Sequence, residues 1–591
     1  MINLSAEQLI AIDKTGKFVL RACPGSGKTY TVTRRVFQRI SQWKNQNSGL
    51  VILSFTQVAQ AQISEELLSL GLSPNSFYPH FLGTIDHFIN SFIFLPFGHL
   101  VMECSTRPSI VGLKNNHWNQ EEHGLFWRNR SCHSCDFLNF SYDINGHFIG
   151  GVKNCPYNYQ HCQNLKQRFA RMGFATQYDA EYWSMEILKR FPIITKSLIK
   201  RFPELIIDEA QDTSDIQMSI IDLLVEKGLS QIMLVGDTDQ AIYEWRDARP
   251  EIFLSKLHEK GWEQPLYLTQ NRRSSQNICN FTKHFSGSLQ QASIAVGNDA
   301  DFPFLPRLIE YDVNSILDLK NDFIALCETN NVQISPDNIA ILMRSNRQLQ
   351  QIKHSIDLGN PWNHGITRLL AQSAFFRDSS NIPISRQLLE AALSRIMFGN
   401  QYFSNQELLQ YLSKVNLIPK WRIGVWQLQK ILPFSQIALR DWLVEATRVL
   451  QDWFATNNWP VINHEELKLK VKQFQLIANN RTIAYFDEPL TNFFNNSNLV
   501  KDGITIETIH SAKGKNYDAV LFVVNDSIRG KGNIKQIIEK ELVDEEVRTA
   551  YVAMTRPRKI LVIAIPLGTD NVLLQKRFPQ WMIDHKNLPL S

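Results

Sequence analysis

Three short apolar runs mark the chain's first half, each leading into small or acidic residues. Phe18 to Leu20 in KFVLRACPGSGKTYTVTRRVFQRI reads as a strand, followed by a small-residue turn and a helix that begins near Lys28. In PELIIDEAQDTSDIQ, Leu205, Ile206 and Ile207 predict a buried strand with Asp208 and Glu209 at its carboxyl end, where open α/β sheets place their ligands. QIMLVGDTDQAIYEWRDA repeats that layout, Ile232 to Val235 leading into Gly236, Asp237 and Gln240. Further on the period changes. SRQLLEAALSRI and QIALRDWLVEATRVLQDWFA carry apolar residues at three- and four-residue spacing, which predicts helices with Trp442 and Trp453 in their core. Asp143 to His147 resembles a hairpin turn.

At 591 residues the chain predicts three or four folding units. Its Phe and Trp content suits large cores, no apolar run is long enough to cross a bilayer, and Met1 to Gln8 lacks the pattern of a signal peptide. A cytoplasmic protein with no membrane partner is the expectation. The formal net charge of +5 is too modest to identify a nucleic-acid binder by itself. Four of the eight cysteines cluster, Cys132, Cys135, Cys155 and Cys162, with C-x₂-C and C-x₆-C separated by 19 residues. That spacing permits a structural Zn²⁺ knuckle, with His133 or His161 able to replace a thiolate; ordinary reduced thiols and an iron–sulfur cluster are the alternatives.

The turn after the first strand suits phosphate. Gly25, Ser26 and Gly27 let backbone N–H groups converge on phosphate oxygens, the helix N-terminus adds donors, Lys28 reaches the β and γ phosphates, and Thr29 offers its hydroxyl to Mg²⁺. The strict pattern has Gly where this chain has Ala22, and a plain glycine turn is the bland reading. The downstream acids favour the functional one: Asp208 fits a Mg²⁺ ligand, Glu209 a general base, and Gln240 a contact to the γ-phosphate region and the attacking water. Trp245 offers a platform for a base, with a core tryptophan as the alternative.

From Leu4 to about Pro566 the motifs resemble, in order, those of the UvrD/Rep/PcrA family of superfamily 1 DNA helicases. The resemblance implies ATP- and Mg²⁺-dependent movement in the 3′-to-5′ direction on single-stranded DNA or a tailed duplex. It also implies an α/β fold with two RecA-like P-loop motor domains, 1A and 2A, interrupted by mainly helical 1B-like and 2B-like insertions. The expected boundaries are 1–95 with 200–280 for 1A, 96–199 for 1B, 281–365 with 496–591 for 2A, and 366–495 for 2B.

Matched residue by residue, Gln8 in LSAEQ stands as the adenine reader, and Phe55, Thr56, Thr84, Thr508 and His510 as strand contacts or interface residues. Arg273 and Arg556 stand as γ-phosphate arginines, and Glu546, Arg548 and Tyr551 as their support or as DNA contacts. Several positions depart from the family. Gln57 and Val58 replace Asn-Lys, Asp86 replaces His, and Asn516 replaces the glutamate that approaches the ribose. Arg272 stands where an adenine-stacking tyrosine is usual, and Tyr30 where an arginine is usual, so the pair has exchanged places and an adenine sandwich is retained. The alternative to an autonomous helicase is a DNA-stimulated ATPase subunit serving a partner nuclease in repair or antiviral defence; a nucleotide-gated DNA-binding module is a third class. Little chain follows the last motif, so no fused C-terminal nuclease is expected.

Overall fold

The computed structural model describes residues 4–55, 57–111, 140–149, 159–243, 248–287, 293–312, 316–345, 348–349, 365–379, 381–399, 405–461, 467–469, 471, 476–478, 481–483, 485–494, 503–527 and 530–586. The chain divides into two compact units, one of Met1–Val111, Trp127–Lys353 and Val500–Ser591, the other of Gly112–Phe126 and His354–Leu499.

The first unit holds two parallel sheets. One comprises β1 (Lys17–Ala22), β2 (Leu50–Ser54), β3 (Phe81–Thr84), β4 (Glu204–Ile207), β5 (Gln231–Gly236) and β6 (Leu266–Leu268), in the order β6-β1-β5-β4-β2-β3. The other comprises β7 (Arg307–Tyr311), β8 (Ile339–Met343), β9 (Thr505–Thr508), β10 (Tyr517–Val523) and β11 (Pro557–Pro566), in the order β7-β11-β10-β8-β9. Both are covered on two faces, which is why their strands read as unbroken apolar runs. On β1, Phe18 and Leu20 pack with Val32 and Val36 of the helix Lys28–Gln42 on one face. Val19 packs on the other face with Val51, Leu53, Leu205 and Leu234. That second face also takes Met185, Ile187, Leu188 and Leu198, so the helices Gln177–Arg190 and Pro192–Arg201 share the core of the first sheet.

The order places β1, β5 and β4 side by side with their carboxyl ends together, which gathers three chain-distant turns at one edge. The buried guanidinium of Arg35 holds the N-terminal helix Ala6–Asp13 beside them. It donates to the carbonyls of Ala11, Ile12 and Lys14 at 3.2, 2.9 and 2.6 Å and to Glu204 Oε1 at 2.9 Å. Ser141–Tyr142 and Phe148–Ile149 form the antiparallel hairpin expected around Asp143 to His147.

The second unit is mainly helical: Gly365–Asp378, Ile382–Phe398, Asn405–Lys414, Ile418–Ile431 and Leu439–Asn457. Trp442 and Trp453 lie in its core as expected, with Nε1 donating to Pro433 O at 3.2 Å and to Gly424 O at 2.9 Å. Gly424 is required there, because a Cβ would come within 3.0 Å of the Trp453 ring. No helix among the described residues is long and apolar enough to cross a membrane.

Candidate active site

Between the two sheets lies a cleft of about 510 Å³. Gly25, Ser26, Gly27, Lys28, Thr29, Tyr30, Asp208, Glu209, Gln240, Arg272, Arg273, Asn516 and Arg556 all line it, although the sequence scatters them over more than 500 positions. Gly25 and Gly27 have φ of 73° and 80°, a region open to glycine at little cost. A Cβ on Gly25 would stand 2.5 Å from Asn271 Oδ1, and one on Gly27 2.9 Å from Gln8 Nε2. Gln8 itself is buried behind the turn. Its Oε1 accepts from Ser5 N–H at 3.0 Å in a capping box and its Nε2 donates to Ser26 O at 3.3 Å, so its side chain braces the phosphate-type loop.

The acids meet the loop directly. Thr29 donates its hydroxyl to Asp208 Oδ2 at 3.2 Å, and Lys28 Nζ lies 3.2 Å from Glu209 Oε2. Burial works to lower the Lys28 pKa, but the carboxylates of Glu209, Asp237 and Asp208 outweigh it and hold the ammonium above its ordinary value. The two neighbouring acids diverge. Burial, reinforced by the charge on Glu209, raises Asp208; burial opposes Glu209 ionisation too, but Lys28, Lys513 and a hydrogen bond from Gln211 prevail and keep it below the usual carboxylate range. Glu209 is therefore ionised at neutral pH. Its backbone sits at φ 57°, ψ 41°, a left-handed conformation that costs a non-glycine residue of order 1 kcal/mol and is characteristic of functional positions.

Two arginines meet these groups, Arg556 just before β11 of the second sheet and Arg273 in the segment that follows β6 of the first. Arg556 Nη2 donates to Gln240 Oε1 at 2.7 Å, and Gln240 Nε2 donates to Asp237 Oδ2 at 2.6 Å, a continuous bridge between the sheets. Arg273 Nη1 donates to Thr555 O at 3.0 Å, while its Nε is buried with no hydrogen-bond partner among the described residues. Burial, then the nearby Arg556 and Arg558, pushes the Arg273 pKa well down. A buried guanidinium (Arg556) and a half-buried one (Arg273), the latter with its buried Nε unmet among the described residues, face a turn built to hold anions, so the donor set fits a nucleoside triphosphate, and Thr29 and Asp208 are the groups that would hold its Mg²⁺. Lys513 closes the floor, donating to Asp212 Oδ2 at 2.5 Å and Gln240 O at 2.7 Å beneath the Tyr243 ring.

Tyr30 and Arg272 both face the cleft, and Arg34 stacks on the Tyr30 ring at 4.9 Å. Phe55 stacks on Tyr243 at 5.0 Å, and Tyr243 meets His510 edge-on at 5.9 Å. The His510 ring reaches back to the first sheet, donating from Nε2 to Ile242 O at 3.1 Å; burial, then Arg344, lowers its pKa to about 4, so it is neutral near pH 7. Thr84 and Thr508 use their hydroxyls to cap the short helices Ile85–Ile89 and Ile509–Ala512. Glu546 is held bidentately by Arg344 at 2.9 Å, which makes it a brace of the second sheet, and Tyr551 is buried in that core. Thr56, Trp245, Cys132, Cys135 and Cys155 lie outside the described residues; Cys162 lies half-buried on the helix Tyr159–Arg171. Among the described residues no group of three or more His, Cys, Asp or Glu side chains is arranged to hold a metal.

Asp86 turns inward. Gln217 Nε2 donates both to Asp86 Oδ1 at 2.9 Å and to Glu181 Oε1 at 3.2 Å, so two carboxyls share one amide. Burial, then Asp86, raises the Glu181 pKa far above the ordinary range. A raised carboxyl contributes stability that is complete at low pH and is lost as pH rises toward the folded-state pKa. Glu181→Gln is accordingly expected to raise the melting midpoint by about 2–4 °C at pH 8.5, the gain shrinking toward zero as pH approaches 5. A gain independent of pH contradicts this.

Gln211, Asp212 and Tyr243 are functional candidates without a motif role of their own; they sit within the very segments that carry Glu209 and Gln240, but only the fold shows their side chains turned to the site.

Two facing parallel sheets with a phosphate-type loop, an acidic strand end and an arginine from across the cleft define a RecA-like motor ATPase. Residues 4–105 and 153–260 match the model of the UvrD/REP helicase N-terminal domain, and residues 465–566 that of the UvrD-like helicase C-terminal domain. The chain belongs to the UvrD/REP family of superfamily 1 helicases, and ATP-hydrolysing helicase activity of the general kind follows from that membership. It is 23% identical to a "Probable DNA helicase II homolog" of Mycoplasma pneumoniae over 100% of this chain and 88% of that protein. It is 23% identical to DNA helicase II of Salmonella typhimurium, over 95% of this chain and 84% of that protein. Over an alignment that covers 30% of this chain and 18% of its relative, it is 30% identical to the exonuclease/helicase subunit RexA of Lactococcus lactis subsp. cremoris.

Proposed function

We propose that the chain is an ATP-driven translocase that moves 3′-to-5′ along single-stranded DNA and separates tailed duplexes. The observation that carries this reading is the bridge Asp237–Gln240–Arg556, which joins the two sheets at the hydrolysis site. Residues 1–95 with 200–280 form the 1A motor domain, 281–365 with 496–591 the 2A domain, and 96–199 and 366–495 the 1B-like and 2B-like insertions.

In this reading the loop at Gly25 to Gly27 binds the phosphates, and Thr29 and Asp208 hold Mg²⁺. When bound, Mg²⁺ offsets charge on the phosphate oxygens. Glu209 takes the proton of the attacking water, Gln240 orients that water, and Arg273 and Arg556 neutralise charge developing on the transferred phosphoryl group. The same Gln240 touches Asp237 on its own side and Arg556 on the other, so a change at the phosphate shifts the second sheet. Phe55, Thr56, Thr84, Trp245, Thr508 and His510 are assigned to the strand-binding side, with Tyr243 stacked on Phe55 joining it to the cleft.

Tyr30 and Arg272 take the two faces of the adenine. Tyr30→Ala and Arg272→Ala are each expected to raise KM for ATP about tenfold with kcat nearly retained, measured as DNA-stimulated hydrolysis. Two variants with unchanged KM overturn the sandwich.

Translocation polarity is tested by displacement of streptavidin from single-stranded oligonucleotides biotinylated at either end. ATP-dependent release from the 5′ end alone supports 3′-to-5′ movement; release from the 3′ end alone overturns it. The likeness to a subunit named for both exonuclease and helicase favours a second reading, in which the same motor serves a partner nuclease and unwinds little alone.

A further inference from the structure

We propose that Gln211 is the positioning residue that fixes the Glu209 carboxylate for its work as a base and locks it to the Gln240 loop. The proposal rests on the assignment of Glu209 as the base and goes beyond it. Three observations converge on this amide.

First, Glu209 needs an external restraint. A non-glycine backbone at φ 57° is strained, and a long side chain leaving it has several rotamers within reach. Second, Gln211 supplies that restraint at close range and is itself fully buried. Its Nε2 donates to Glu209 Oε2 at 2.6 Å and to Asp212 Oδ2 at 3.3 Å, and its Oε1 accepts the backbone N–H of Asp237 at 3.1 Å. The chemistry decides which end of the amide is which, because a flip would set oxygen against two carboxylates and NH₂ against an N–H. One side chain thus ties the turn after β4 to the turn after β5, the second of which carries Gln240.

Third, the neighbouring strand end is shaped to admit it. A Cβ at position 236 would stand 2.5 Å from Gln211 Oε1 and 3.3 Å from its backbone nitrogen, so Gly236 is required by the approach of this amide. Lys28 contacts the same Glu209 oxygen at 3.2 Å, but a lysine ammonium is a rotatable point charge and does not fix direction. Gln211 gives the carboxylate a fixed orientation and leaves Oε1 of Glu209 free of the bonds that Oε2 makes to Lys28 and Gln211.

The test is a double-mutant cycle on the full-length protein: wild type, Gln211→Met, Glu209→Gln and the double variant, with ATP hydrolysis measured on saturating single-stranded DNA. Methionine keeps the length and volume of the buried side chain and removes only its hydrogen bonds. Gln211→Met is expected to lower kcat about 10- to 100-fold, with KM for ATP within about twofold of wild type and the melting midpoint lowered by only about 2–4 °C, the cost of the Asp237 N–H left without its acceptor. In the Glu209→Gln background the same change should have no further effect, because a residue that acts through the base has nothing left to position. A Gln211→Met kcat within twofold of wild type overturns the proposal. So does a fall in kcat accompanied by equal losses in KM and melting midpoint, or an effect that multiplies with that of Glu209→Gln. A Glu209→Gln protein with wild-type kcat removes the base assignment itself, whereas an inactive Glu209→Gln beside an unaffected Gln211→Met leaves the base in place and removes only Gln211.

Discussion

Glu209→Gln is expected to lower kcat for ATP hydrolysis about 10³-fold while nucleotide binding is retained. The substitution keeps the shape of the side chain, but it removes an ionised carboxylate whose proton affinity is held low by two lysines and an amide. Lys28 loses its nearest counter-charge, at 3.2 Å, and is left with Asp208 and Asp237. Because that releases the lysine toward phosphate, KM for ATP should be unchanged or lower. Steady-state hydrolysis together with binding of a fluorescent, non-hydrolysed ATP analogue separates the two effects. Retention of more than about a tenth of wild-type kcat contradicts the base assignment.

The second large effect is expected at Arg556. Its guanidinium is 1% exposed and fixed on three sides: Nη2 on Gln240 Oε1 at 2.7 Å, Nε on Val552 O at 3.0 Å, and Nη1 on Lys515 O at 3.5 Å. A cation so placed costs nothing to reorganise when charge develops opposite it. Arg556→Ala should therefore lower kcat about 10³-fold and cut the bridge from Gln240 to the second sheet. Arg556→Lys keeps the charge but cannot reproduce the planar fork, so it should recover little of the loss. Stopped-flow single-turnover hydrolysis reads this without interference from product release. A Lys variant near wild type would show that charge alone matters there and that the geometry of the bridge does not.

The motor frame was legible from the chain because parallel strands covered on both faces leave unbroken apolar runs, and the residues just past those runs are the ones a sheet of this order brings together. Phe18–Leu20, Leu205–Ile207 and Ile232–Val235 each fall inside an observed strand, and the helix starts at Lys28 as expected. What the chain conceals is direction. Gln8, the expected adenine reader, has its side chain engaged with Ser5 and the carbonyl of Ser26. Thr84 and Thr508 cap helices, and His510 reaches across to Ile242. The left-handed backbone at Glu209 has no signature in DEAQD, which holds no glycine or asparagine to mark it. Likewise the helix Gln177–Arg190 reads as part of an insertion, while Met185, Ile187 and Leu188 contribute to the core beneath the first sheet. The reach of His510 to Ile242 joins residues 268 positions apart, which no window of sequence contains.

The departures at Tyr30 and Arg272 carry a physical lesson. An adenine ring can be held between an aromatic face and a planar cation in either order along the chain. Both positions line the same cleft, which is the condition an exchange must meet.

The most direct measurement is unwinding of a fluorescent duplex carrying either a 3′ or a 5′ single-stranded tail, with ATP hydrolysis recorded in the same reaction for wild type and Glu209→Gln. Strand separation from the 3′-tailed duplex alone, proportional to hydrolysis and absent in the variant, is the predicted result. Hydrolysis that no single-stranded DNA stimulates, or separation that persists in Glu209→Gln, would contradict it.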